Sequence, residues 1–317
     1  VSLVGDDVQG IADQMDLPWP VYAMDSGGMK GSFEAGYSAA SLRIEKEMKT
    51  KEKIPASVNV LGLSTVHMKG REDAEEIRRL LSLCGIRVIS MPGGGSNWDD
   101  IMAAPSASLN IVVRDELGLS LAKQMERDFG TPYMSSGLPY GTDGTMAWLS
   151  EIIEKLGAGE LIRASHEAAK LKEFLLRKGN NLESLWGPLW FDAVLISAPP
   201  SEALGIAEAI RSEWIDTAHL CIHAQCETEK STPAADAIRV VMKNEKEIAK
   251  DYEDWQGGLV LSSSHETHLL RRMGRSFTGF HIALPSHDEV HFSDLPQCGL
   301  RGAGYLYEQL WNAKLRK

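Results

Sequence analysis

Cysteine is scarce in this sequence: there are four in 317 residues, at positions 84, 221, 226 and 298, with no CxxC pair and no regular spacing. A disulfide-stapled secreted scaffold needs a denser framework, so a reducing, cytoplasmic setting is expected. Cys84 falls on the apolar face of a helical pattern with Ile77, Leu80 and Leu81 and reads as a core residue. The Cys221/Cys226 spacing is not that of a recognised ligand pair. No Lys/Arg block with interleaved aromatics stands out, so no nucleic-acid partner is expected. No apolar run approaches the roughly 20 residues that span a bilayer, so no membrane segment is expected. A GxSxG elbow is also missing, which leaves serine hydrolysis without support.

What is present is ordinary for a globular protein: 43% apolar residues, 24% charged residues and a net charge of −11 spread along the chain. With a domain taking about 100–200 residues, the length suits two domains rather than one continuous core. From residue 55 onward, short β-rich runs alternate with longer helical patterns, the signature of βαβ units around a parallel sheet. The expected fold class is α/β, with tandem Rossmann-like domains, each a parallel four-stranded sheet flanked by helices.

The first unit, residues 54–158, places strands at Val58–Leu63, Arg87–Met91, Leu109–Val113 and Pro132–Ser135. Helices run over Glu72–Cys84, from an N-cap at Ser96, and to Phe129-Gly130, with another carrying Trp148. Residues 159–187 carry helical spacing through Leu161, Ala164, Ala168, Leu171 and Leu175 and read as a helical connector. The second unit, residues 188–317, places strands at Ala193–Ser197, His219–His223, Leu259–Ser262 and His281–Leu284. Its helices are expected at Ser201–Trp214, Ala234–Ile248, Glu266–Met273 and Gly302–Asn312. Residues 1–53 hold a strand at Val21–Met24, a Ser26-Gly-Gly28 turn and a helix over Phe33–Glu47. They read as the end of an earlier domain, with Val1–Gly5 as the last part of a strand, and Lys49–Lys53 reads as a solvated linker.

In open parallel sheets, ligands bind outside the carboxyl ends of the strands, where loops gather and helix N-termini aim their N–H groups. In the first unit that rule selects Ser64, Thr65, Gly93, Gly94, Gly95, Arg114 and Tyr140. The triple glycine lets backbone approach a ligand closely, or equally makes a tight turn with positive φ. It is not GxGxxG and no Walker lysine follows it. In the second unit the rule selects Pro199-Pro200-Ser201, His223, Ser262–His265 and Ser286-His287-Asp288. Of the nine histidines, all but His67 and His166 lie after residue 218. His265 and His287, each beside a carboxylate, are candidate proton donors for a reductive reaction. His291 lies beside a strand-end loop, whereas His219 and His281 begin strands and read as structural. No metal ligand is assigned.

Several ordered stretches resemble the nitrogenase component 1 type oxidoreductase superfamily. They are Val58-Asn-Val-Leu-Gly-Leu63, Glu75-Glu-Ile-Arg-Arg-Leu-Leu81, Gly85-Ile-Arg-Val88, Pro92-Gly-Gly-Gly95, Ser108-Leu-Asn-Ile-Val112, Gly130-Thr-Pro-Tyr133 and Pro139-Tyr-Gly141. Ser262-Ser-Ser-His-Glu266, Pro285 and Pro296-Gln-Cys-Gly-Leu-Arg-Gly302 resemble its ending. Gly5-Asp-Asp7 and Ser26–Gly31, with Gly36-Tyr37, resemble the tail of its first domain.

The resemblance implies a subunit that reduces a substrate or metallocofactor with electrons from an ATP-dependent iron–sulfur reductase partner. It also implies assembly with a paralogous subunit or a second copy. An iron–sulfur cluster is expected in the full-length assembly, its cysteines lying in the first domain upstream of Val1, so this chain alone is expected to be inactive. In the molybdenum enzyme a cofactor-anchoring cysteine follows the Leu-Asn-Ile-Val strand. The matching place here is near Arg114, which disfavours a molybdenum-type catalytic subunit. Arg114 then reads as a partner for an anion. The alternative is a noncatalytic scaffold or carrier for a metallocofactor or tetrapyrrole. A third reading, a periplasmic-type binding protein with two lobes, is opposed by the helical connector and the family motifs.

Overall fold

The computed structural model describes residues 7–15, 21–24, 31–228, 230–240, 248–250, 252–253 and 255–316. The chain opens with α1 (Val8–Gln14) and α2 (Phe33–Glu45). The first sheet follows, built from β1 (Ile54–Leu61), α3 (Gly70–Leu83), β2 (Arg87–Ser90), α4 (Trp98–Ala103), β3 (Ala107–Val112), α5 (Asp115–Phe129), β4 (Tyr133–Ser135) and α6 (Thr142–Leu156). The 25-residue α7 (Ile162–Trp186) leads to the second sheet. That part contains β5 (Trp190–Ala198), α8 (Pro200–Ala209) with a π-helical turn at Ile210–Trp214, β6 (Asp216–Ala224), β7 (Ala237–Val240) and β8 (Leu259–Ser262). It ends with α9 (Ser264–Arg272), β9 (Thr278–His281) and α10 (Gly299–Leu315). None of the described helices is long and apolar enough to cross a membrane.

Both sheets are parallel, with strand orders β2-β1-β3-β4 and β7-β6-β5-β8-β9. Strands covered on both faces read as continuous apolar runs, and β1, β3 and β5 are buried almost from end to end at their carboxyl halves. The polar residues inside them are paired: Asn59 Nδ2 donates to Asn110 Oδ1 at 2.8 Å and to the Ala104 carbonyl at 2.9 Å. Helix α3 buries Ala74, Ile77, Leu80 and Leu81 on one stripe. Helix α5 stops where Gly130 takes φ +63°, a left-handed cap that a side chain disfavours.

The observed elements depart from the sequence pattern at several places. Residues 237–240 form β7, paired in parallel with β6 through Cys221↔Ala237 and Ile222↔Ile238, where the spacing predicts a helix over Ala234–Ile248. Residues 241–247 of that expected helix lie outside the described residues, and the second sheet has five strands instead of four. Residues 21–24 form no strand. Helix α4 is capped by Asn97 rather than Ser96, whose hydroxyl instead accepts from the Met91 N–H at 2.8 Å. Strand β9 ends at His281, so the expected His281–Leu284 strand lies about three residues late. Gly5 and the Ser26–Gly28 turn lie outside the described residues.

A single buried apolar cluster runs through both sheets, contrary to the expectation of separate cores. Trp148 and Leu149 of α6, Ala164 and Ala168 of α7, and Leu306, Leu310 and Trp311 of α10 belong to it and join the two β layers. Two smaller clusters flank it, one under α5 with Met48 and the other around Tyr252 and Leu270. Cys84 is buried in the main cluster, as its helical position predicts.

Candidate functional site

The loops after β3 and β5 meet, and the contact between them is ionic. Arg114, fully buried at the end of β3, donates through Nε to Glu202 Oε1 at 2.9 Å, and Nη2 bonds the same oxygen. Its Nη1 reaches the Gly62 carbonyl at 3.4 Å, and Asp73 Oδ2 lies 4.0 Å from Nη2. Asp73 Oδ1 accepts the backbone N–H groups of Gln297 and Cys298 at 2.8 and 3.0 Å, tying α3 to the start of α10. His67 Nδ1 stands 3.8 Å from Glu202.

One guanidinium therefore faces two buried carboxylates. Burial pushes Asp73 up to about 6, opposed by Arg114 and its two backbone donors. Burial and the Arg114 charge together push His67 down to about 4, so it stays neutral at pH 7. Burial, with Glu202 and Asp73 nearby, raises the Tyr140 phenol well above its usual value, and burial with Asp73 does the same to the Cys298 thiol.

A carboxylate and a hydroxyl seal neighbouring helix ends. Glu213, in the π-helical turn, accepts from the N–H groups of Thr142, Asp143 and Gly144 at 2.7, 2.9 and 3.1 Å and from the Thr142 hydroxyl at 2.6 Å. The N-terminus of α6 is thus filled by a carboxylate from the second sheet's helix. Ser201 donates to Glu116 at 2.6 Å and accepts from the Asp115 N–H at 3.3 Å.

The carboxyl edge of the second sheet opens onto a cavity of about 1020 Å³. Its wall includes Ser197, Ser263, Ser264, His265, His268, Arg271, Arg272, Pro285, His287 and Asp288. The Ser262–Glu266 stretch explains itself as a capping box. Ser263 and Glu266 satisfy the first N–H groups of α9, and Ser264 N–H donates to the Pro285 carbonyl at 2.7 Å. The Ser264 hydroxyl then accepts from His287 N–H at 2.6 Å and donates to Asp288 at 2.8 Å, while Arg271 reaches Asp288 at 2.6 Å. This web fixes the loop that carries His287 against the helix that carries His265.

The residues selected by the strand-edge rule thus separate into three groups. His265 and His287, both exposed, share the large cavity. Ser64, Thr65 and the triple glycine cluster at the edge of the first sheet. There Thr65 N–H donates to the Gly93 carbonyl at 2.9 Å, and the Tyr37 hydroxyl bonds the carbonyls of Leu63 and Pro92 at 2.8 and 3.0 Å. A Cβ on Gly93 would stand 2.2 Å from the Leu63 carbonyl oxygen at a φ of +74°, so the tight-turn reading accounts for that glycine. Arg114 and Tyr140 lie deeper, Arg114 on the chain's own Glu202. Tyr140 borders a second cavity of about 650 Å³ with Leu138, Trp148, Gly205 and Arg211.

Sequence reasoning missed His268, Arg271 and Arg272, which continue the cavity wall along α9 from His265. Their helical spacing was the available signal. Also missed was a group of possible metal ligands, His281, Glu289 and His291, whose donor atoms all lie within 4.8 Å of one another.

Two parallel sheets flanked by helices, with loops gathered at their carboxyl edges, define a tandem Rossmann-like α/β protein. The chain belongs to the nitrogenase component 1 type oxidoreductase family, which it matches over residues 1–315. It is 25% identical over 276 residues to a subunit of the light-independent protochlorophyllide reductase of Prosthecochloris aestuarii, covering 81% of this chain and 51% of that protein. It is 31% identical over 189 residues to the nitrogenase iron-molybdenum cofactor biosynthesis protein NifE of Clostridium pasteurianum, covering 58% of this chain and 39% of that one. The chain spans about half the length of the curated relatives it matches. A solved structure, nitrogenase Cp1 at pH 5, superposes with a TM-score of 0.71 over the whole chain and 69% of its own length, at 20% identity.

The cysteines do not make a cradle for the iron–sulfur cluster that the family resemblance implies. Cys84 and Cys298 are buried with their thiols pushed up by burial, and the group of converging donors found among the described residues contains no cysteine.

Proposed function

We propose that the chain is part of a catalytic subunit of a nitrogenase-like oxidoreductase. The subunit reduces a substrate or metallocofactor with electrons from an ATP-dependent iron–sulfur partner protein. Residues 1–53 then end a first domain, 54–158 and 188–317 form the second and third, and 159–187 connect them. The working unit pairs with a paralogous subunit or a second copy in the cytoplasm. Any iron–sulfur cluster is held by residues other than the ones described.

The observation that carries this reading is the cavity at the carboxyl edge of the second sheet, shared by His265 and His287 in a family of reductases. Reduction of a conjugated or multiply bonded group consumes protons with electrons, and imidazoles at a cavity wall supply them. His265 and His287 are the candidate donors, with His287 held in place through Ser264. At the first sheet, Ser64, Thr65, Gly93, Gly94 and Gly95 form a candidate ligand edge, and Arg114 with Tyr140 lies beneath it as support.

The experiment uses the full-length protein purified without oxygen and mixed with its reductase partner and ATP. Paramagnetic resonance should show a cluster that becomes reduced only when ATP is present. His265→Ala and His287→Ala should leave that electron transfer intact while lowering turnover about 100-fold. The kinship to a cofactor biosynthesis protein favours a second reading, a scaffold that holds a metallocofactor for a partner. A full-length protein that carries no reducible cluster, yet copurifies with a metallocofactor or tetrapyrrole, would replace the first reading with the second.

A further inference from the structure

We propose that His281, Glu289 and His291 bind a divalent transition cation of the zinc type, beside the large cavity and independent of the reductive chemistry. Glu289 Oε2 lies 3.7 Å from His291 Nε2 and 3.9 Å from His281 Nδ1, and all three donor atoms fall within 4.8 Å of one another. Around a tetrahedral zinc ion, nitrogen and oxygen ligands stand about 3.3 Å apart. The three groups need to close on a cation by well under an ångström each. Two imidazoles and one carboxylate form a donor set that suits zinc-like ions and not magnesium or calcium.

The support behind the ligands fits the same assignment. His281 is 1% exposed at the carboxyl end of β9, and its other ring nitrogen, Nε2, lies 3.5 Å from Asp288 Oδ1 and 3.4 Å from Thr267 Oγ1. A carboxylate behind the far nitrogen of a metal-binding histidine fixes its tautomer and leaves the lone pair toward the metal. The Glu289 carboxylate is steadied by the His281 N–H at 3.0 Å.

The Ser286 hydroxyl lies 2.8 Å from His281 Nδ1, 3.4 Å from His291 Nε2 and 3.4 Å from the Glu289 carbonyl. The hydroxyl thus links both imidazoles to the backbone of Glu289. Nearby cationic side chains are engaged elsewhere: Lys69 donates to the Ser293 carbonyl, and Arg271 is paired with Asp288. A cation at this point would clamp residues 286–291, the loop that carries His287, onto β9.

The test titrates chelator-treated full-length protein with Zn2+ by calorimetry and with Co2+ by visible absorption. Wild type should take up one more equivalent of Zn2+ than His291→Ala or Glu289→Gln. Both of these alter half-buried side chains on a loop and should keep the wild-type circular dichroism. Asp288→Asn should retain the site but weaken Zn2+ binding about 10–100-fold. His281→Gln should also lose the equivalent; should it fail to fold, the two loop variants decide. The Co2+ form should show ligand-field bands without a thiolate charge-transfer band. Equal Zn2+ uptake by wild type and both loop variants would overturn the assignment, as would a thiolate band that vanishes with a cysteine substitution.

Discussion

Arg114 and Glu202 form a buried ion pair across the seam between the two sheets, with Nε 2.9 Å from Oε1 and a sequence separation of 88 residues. Removing one member strands the other charge in a place where water cannot reach it. Arg114→Met should therefore cost about 3–5 kcal/mol of stability, and Glu202→Leu a similar amount. The double variant should cost clearly less than the sum, because neither charge is left behind. Urea unfolding of the four proteins gives the cycle. Additive losses would mean that the pair is not what joins the loops.

Glu213 caps α6 from outside, accepting three consecutive N–H groups. Glu213→Ala should lower stability by about 2 kcal/mol, since it removes charge-assisted bonds to a helix terminus. Glu213→Gln should recover part of that, because an amide oxygen still accepts. Thermal unfolding distinguishes them, and a Glu213→Gln variant as stable as wild type would rule out the role of the charge.

The acid–base behaviour of Asp73 and His67 should oppose each other. Asp73 rises from 3.8 to about 6, so between those values the folded chain holds a proton that the unfolded chain has lost, and stability falls as pH rises. His67 drops from 6.5 to about 4, so over that window the unfolded chain holds the extra proton, and stability increases with pH. Each shift of about two units corresponds to about 3 kcal/mol, so in wild type the two largely offset. Asp73→Asn should give a profile that climbs relative to wild type between pH 4 and 6, and His67→Gln one that declines. Denaturant midpoints across that range check it; parallel profiles for the two variants would refute the opposing shifts.

Strands and helices that depend on their own neighbours were legible in the sequence. The near-continuous apolar runs of β1 and β3, the α3 stripe ending at Cys84 and the Gly130 stop all follow from local pattern. Strand β7 was not, because it is an edge strand selected by pairing with β6, while Ala234, Ile238 and their neighbours also fit a helical period. His265 and His287 of the cavity could be found from the strand-edge rule, and His268, a turn further along α9, could not. Asp73 and Glu202 could not, since an acidic residue in a helix's first turn reads locally as a dipole partner. Nor could Glu213, which sits in the last turn of the expected Ser201–Trp214 helix with no local sign that it caps another helix. Their actual partners come from distant parts of the chain, and no local spacing encodes them. The ligand trio near β9 was missed for a related reason: His281 sits in a strand, and the loop folds Glu289 and His291 back onto it.

Two glycines on neighbouring helices should respond to alanine with opposite signs. Gly118, inside α5, lies where an added Cβ would stand 2.8 Å from both the Gly62 nitrogen and the Leu61 carbonyl carbon. Those atoms belong to the end of β1, whose pairing with β3 fixes them, so neither side yields easily. Gly118→Ala should cost about 1–3 kcal/mol through the forced separation of helix and strand. Gly144, in the first turn of α6, has nothing within 4 Å of its added Cβ, and its N–H bond to Glu213 survives the change. Gly144→Ala should gain up to about 1 kcal/mol, because alanine loses less backbone freedom in a helix. Thermal unfolding of both variants under one condition reads the contrast. A gain at Gly118 would mean that α5 can lift from β1, and the loop carrying Arg114 to Glu202 would then not be fixed by that packing.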